Sequence, residues 1–205
     1  MRRPKSVSGL EKLGRVRLSE NFFVRDFLYS EISQIYGLPN IPDDPDLAIE
    51  AGTKLCQELL EPLQEKFGRL AIRSGYRSCE VNQLGNEKGH NCSSNEANCA
   101  GHIWDRRDAN GHMGATACVV VTAFIDHFEK TRDWQSLAWW IHDHLPYGDL
   151  EFYPKLAAFN ITWHESPARS IYSYVKPRGW LTKPGMDNHE GDHSGFYSGI
   201  PMFEK

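Results

Sequence analysis

Six apolar residues, Leu47, Ala51, Leu55, Leu59, Leu63 and Phe67, recur at steps of four. That spacing lines one face of an α-helix. Asp44 and Pro45 stand where an N-cap and a first-turn proline belong, and Gly68 follows the last apolar residue. The pattern predicts one amphipathic helix over 45–67, kinked by Pro62 in its last turn. Upstream, "LSENFFVRDFLYSE" reads as a short helix or hook carrying Phe22, Phe23, Phe27 and Leu28. Downstream, "RLAIRSGYRS" reads as a short strand ending in a glycine turn, and "ATACVVV" as a second strand. "AFIDHFEKTRDWQSLAWWIHDHL" predicts one or two helices. "DLEFYP", "FNITWHE" and "SIYSYV" predict three further strands.

Residues 80–113 are rich in Asn, Gly, Ser and Cys, lack periodicity, and read as one long loop. Residues 1–17 and those from about 183 onward read as irregular tails. The predicted order is helix, strand, long loop, strand, helix and three strands. That is an α+β domain with a largely antiparallel sheet flanked by helices.

Composition narrows the picture only slightly. A chain of 205 residues fits one domain with a real core. A net charge of -4 argues against a nucleic-acid partner. No apolar run reaches the ~18 residues of a membrane span, and the N-terminus lacks the apolar segment of a signal peptide. The expected location is the cytoplasm. The five cysteines are odd in number and include no C-x-x-C pair, which speaks against a disulfide framework and a zinc knuckle. Cys92 and Cys99 share one loop and are candidates for a bridge; the cysteines are otherwise read as reduced.

Candidate chemistry gathers at three places. "GHIWDRRDANGHMG" places His102, Asp105, Asp108 and His112 within eleven residues. Imidazole and carboxylate together are the ligand set of a catalytic zinc. In "NITWHES", strand alternation puts Thr162 and His164 on the face opposite Ile161 and Trp163. In "DLEFYP", Asp149, Glu151 and Tyr153 alternate with Leu150 and Phe152. A glutamate there faces either water or a site, where it would serve as a general base beside a metal. "HDH" at 142–144 and "NHEGDH" in the tail are lesser candidates, read as a helix C-terminus and a solvated surface.

"SGYRS", a following histidine, "GATACVVV", "LPYGDLEFYP" and "WHES" together resemble the zinc D-alanyl-D-alanine peptidases of the Hedgehog/DD-peptidase fold. The resemblance spans roughly residues 18–175. It implies a zinc-dependent hydrolase that cleaves an amide bond in cell-wall peptides with a free carboxylate. It also implies one Zn2+ held by His102, Asp108 and His164, with Glu151 as base and Arg77 on the substrate carboxylate. The chain departs from the family's pattern in two places. Cys118 stands where that family has a ligating aspartate, so Asp105, Asp108 or Cys118 must complete the site. Ile161 stands where it has an acidic residue before the last histidine, leaving Glu151 or Glu165 as base. The first histidine is His102 or His112, with His102 preferred.

Overall fold

A computed structural model describes residues 1–200. Helix α1 (Val7–Gly14), capped by the Ser6 hydroxyl, replaces the irregular N-terminal tail that the sequence suggested. A 3-10 turn over Val24–Phe27 forms the hook, and α2 (Glu31–Tyr36) follows. The long helix is present, but in three segments: α3 (Pro45–Leu55), a π-helical turn over Cys56–Leu60, and α4 (Glu61–Phe67). Pro62 has no N–H to donate, and its ring crowds the carbonyl one turn back. The widened turn just before it accommodates both defects. The apolar face buries as its period requires. Leu55, Leu59, Leu63 and Phe67 are fully buried, each contributing roughly 1.5–3 kcal/mol.

Six strands make one sheet: β1 (Leu70–Ser74), β2 (Gly114–Val121), β3 (Asp149–Phe152), β4 (Phe159–His164), β5 (Ser170–Ser173) and β6 (Gly179–Thr182). Their order is β1-β2-β4-β3-β5-β6. All neighbours run antiparallel except β3 and β5. The architecture is thus α+β with a mostly antiparallel sheet. Strand β6 was not foreseen.

The segment read as one long loop contains two helices, α5 (Cys79–Glu87) and α6 (Asn95–Asn98). Helix α5 buries only Val81, Asn82 and Gly85, so it has no apolar stripe to announce it. Helices α7 (Ile125–Thr131) and α8 (Gln135–His144) follow β2, and α9 (Ser194–Tyr197) lies near the C-terminus.

Alternation sorts the sheet into two faces. Ala115, Ala117, Val119 and Val121 of β2, with Phe159, Ile161 and Trp163 of β4, belong to the core shared with α3 and α4. Trp163 also donates its indole N–H to Glu58 in the π-helical turn (2.7 Å). The opposite face carries Thr116, Cys118, Asn160, Thr162, His164, Glu151 and Tyr172, and all of these line cavities.

Candidate active-site cleft

Two adjoining cavities of about 470 and 540 Å³ lie on that polar face. They share His102, Glu151 and Asn160 and so form one cleft. Pairing of β2 with β4 sets Gly114 opposite His164, Thr116 opposite Thr162 and Cys118 opposite Asn160. The two threonine hydroxyls hydrogen-bond across the strands at 2.8 Å. Gly114 has a steric role. A Cβ there would lie 2.0 Å from the Ala100 carbonyl oxygen and 2.8 Å from the His164 ring. Only glycine lets the segment carrying His102 approach the end of β2.

His164 lies half-buried at the end of β4. Its Nδ1 meets both the carbonyl (2.9 Å) and the N–H (3.0 Å) of Ser166, so the backbone fixes the ring plane in either tautomer. Its Nε2 points to Asp108 Oδ2 at 3.4 Å. Asp108 accepts the backbone N–H groups of His112 (2.8 Å) and Asn110 (2.9 Å), which, His112 foremost, hold its carboxyl below the usual carboxylate range. His112 Nδ1 lies 3.4 Å from the same oxygen, and its ring is edge-on to His164. His112 does not line the cleft; it flanks Asp108 from outside.

His102 is buried. Its Nδ1 donates to the Gly75 carbonyl (2.7 Å). That bond places the lone pair of the neutral ring on Nε2. Burial, then the nearby Arg77 charge, lowers its pKa to about 3, so the ring is neutral at physiological pH. His164 thus has one nitrogen anchored to backbone and the other turned to Asp108, the arrangement of a metal-ligating imidazole, whereas the second nitrogen of His102 has Asn160 as its partner. His164 and Asp108 meet as a pair of ligands would, whereas His102 stands farther along the cleft wall. Among the described residues, only His142, Asp143 and His193 place three ligand atoms within 4.8 Å of one another.

Glu151 lines both cavities. Its Oε2 accepts from Tyr153 Oη (3.1 Å) and Asn160 Nδ2 (3.1 Å), which leaves Oε1 for the cleft. Burial first, and then the Glu151 charge, push the Tyr153 phenol far up, so it stays a donor. Glu165 is occupied elsewhere: it accepts the Met113 N–H (2.6 Å) and pairs with Arg107 (3.4 Å). Arg77 lines the basic end of the cleft beside Arg73, and neither has an ion pair among the described residues.

The other sequence candidates have structural uses. Asp105 is buried and accepts the N–H groups of Asp43 (2.7 Å) and Asp44 (3.4 Å), tying its loop to the start of α3. It is not a cleft residue. Cys118 lines the cleft, but burial pushes its thiol up to about 11. All five cysteines are free, so Cys92 and Cys99 do not pair. Tyr172 lines the cleft, and Arg178 stacks over Tyr174 with its guanidinium 4.8 Å from the ring. Asn160 and Arg73 escaped the sequence reading. The alternation that exposed His164 and Thr162 points equally to Asn160, two residues further back.

The histidines of the tail are buried, not solvated: His189 is 8% and His193 5% exposed. His193 stacks on Trp139 with centroids 4.1 Å apart. Its Nδ1 lies 2.7 Å from Asp143 Oδ1 and its Nε2 3.1 Å from the Asn188 carbonyl oxygen. His142 bonds Tyr147 Oη (2.6 Å) and the His189 carbonyl oxygen (2.8 Å). Every nitrogen of these two rings already has a protein partner, and none of the residues lines the cleft.

No family model, curated protein or solved structure matches the chain. No helix among the described residues is long and apolar enough to cross a membrane.

Proposed function

We propose that the cleft is the active site of a zinc-dependent hydrolase that cleaves an amide bond in a peptide with a free carboxylate, with cell-wall peptides as the substrate class. The observation that carries this reading is the approach of His164 Nε2 to Asp108 Oδ2 at 3.4 Å, in a cleft that Glu151 and His102 also line. Zinc would be held by His164 and Asp108, with His102 as third ligand. When bound, it would supply Lewis acidity toward a carbonyl oxygen and toward water.

The chain's own groups supply the rest. Asn160 and Tyr153 orient the Glu151 carboxylate, and its free oxygen takes the proton of the attacking water and returns it to the leaving nitrogen. Arg77 anchors the substrate carboxylate through a guanidinium fork. Thr116, Thr162 and Tyr172 line the wall beside these groups. A second reading, a peptide-binding module without catalysis, is favoured by the distance of His102 from the other two ligands.

The discriminating experiment incubates zinc-loaded protein with acyl peptides bearing different C-terminal residues, D-alanine included, and detects the released amino acid. Release that stops with a chelator and returns with zinc supports the hydrolase. Peptide binding without release by zinc-loaded protein supports the module.

A further inference from the structure

The cleft does not end at Arg77. Beyond it lies a third cavity of about 310 Å³, walled by Tyr29, Ile32, Ile35 and Tyr36 from α2 and its approach. Arg77, Ser74, Glu31 and His90 line both this cavity and the basic end of the cleft, so the two are continuous through the guanidinium. The apolar wall is unusually open to water: Ile35 is 78% exposed, Tyr29 56% and Tyr36 41%.

The wall is also held in place. The Tyr36 hydroxyl bonds His90 Nε2 at 2.9 Å. Helix α2 sits tightly on α5, because a Cβ at Gly85 would lie 2.7 Å from Ile32 and 2.6 Å from the Cys92 sulfur. Arg77 is braced by its N–H on the His102 carbonyl (2.8 Å) and by Nη1 on Asn82 (3.4 Å). A cavity with an aliphatic and aromatic wall and a braced cation at its mouth matches the chemistry of an amphipathic anion.

We propose that this cavity receives the terminal residue of the ligand: a free α-carboxylate on Arg77, with a ring-sized apolar side chain against Tyr29, Ile32, Ile35 and Tyr36. A methyl side chain would leave most of 310 Å³ unfilled. The proposal therefore departs from the small terminal residue that the sequence resemblance implies. It rests on the hydrolase reading only in calling the ligand a substrate; the binding claim stands apart from catalysis. Glu31, on the rim of both cavities, is the carboxylate whose charge opposes a bound anion.

Calorimetry on the full chain, chelator-treated and zinc-loaded, tests this with three probes: N-acetyl-phenylalanine, its C-terminal amide and N-acetyl-alanine. The first should bind at least about tenfold more tightly than either of the others, with or without zinc. Ile35→Ser lies on an exposed position and adds no charge, so it leaves the fold intact and should weaken the first probe while sparing N-acetyl-alanine. Arg77→Lys should weaken N-acetyl-phenylalanine and leave its amide unchanged. Glu31→Gln should tighten both acids. Equal affinity for the phenylalanine acid and either its amide or the alanine acid, indifference to Ile35→Ser, or no binding at all overturns the proposal. Binding seen only after zinc loading also overturns it, since the carboxylate would then sit on the metal. Peptide hydrolysis without this selectivity sinks the pocket alone, and selective binding without hydrolysis sinks the hydrolase reading alone.

Discussion

Asn160 and Tyr153 fix how Glu151 meets the cleft. Both bond one carboxylate oxygen, so the other is presented to the cleft in a fixed direction. Glu151→Gln keeps the shape and those contacts but cannot take a proton. It should retain zinc and lower kcat by ~10²-fold or more, whereas Glu165→Gln should leave kcat within a few-fold. Steady-state kinetics on both variants, paired with metal content, checks this. His102 carries a second residue-level prediction. Its pKa is about 3 when folded, against ~6.5 in an unfolded chain. Between those values the unfolded chain binds the extra proton, so metal-free protein should lose stability as pH falls from ~6.5 toward 3 and gain no slope from this group above that range. His102→Gln should flatten that part of the profile. Denaturation curves at a series of pH values measure it, and an unchanged slope would mean that His102 is not held neutral.

Asn40 joins three elements. Its amide donates to the carbonyls of Leu28 (3.0 Å) and Tyr76 (2.8 Å), and its oxygen accepts the Ser78 N–H (2.8 Å). Asn40→Ala would strand three backbone groups around the turn that carries Arg77. It should cost about 1–3 kcal/mol by chemical denaturation. Elements with a strong apolar period were the legible ones. The helix from Asp44 to Gly68 could be read from six residues at steps of four, and β4 from its alternation. Helix α5 could not, since a helix whose buried residues are a valine, an asparagine and a glycine leaves no apolar stripe in the sequence. Its only local sign was Ser78, whose hydroxyl caps it. The π-helical turn is likewise silent, because Pro62 signals strain without saying how the backbone absorbs it. Of the residues lining the cleft, Glu151 and His164 were legible from strand alternation. The fates of Asp105 and Glu165 were not, because each is bonded to backbone N–H groups brought up by distant parts of the chain.

At the scale of the molecule, the sheet order places the β2, β4 and β3 residues side by side, so one polar face collects groups from residues 102 to 172. The C-terminal segment folds back on α8 through His193, Asp143 and Trp139. His193→Ala removes the hydrogen bond to Asp143 and the stack on Trp139 together. It should speed proteolysis within residues 183–200 several-fold while leaving the rest of the chain resistant; mass spectrometry of timed digests shows which peptide bonds open first. The central claim is that the cleft, and not this tail cluster, is the metal site. Zinc per chain after loading and gel filtration tests it most directly. The account predicts about one equivalent for the unaltered protein and for His193→Ala, and a loss of most of it in His164→Ala and Asp108→Asn. Zinc well below one equivalent in the unaltered protein, or zinc lost with His193→Ala and kept with His164→Ala, would contradict it.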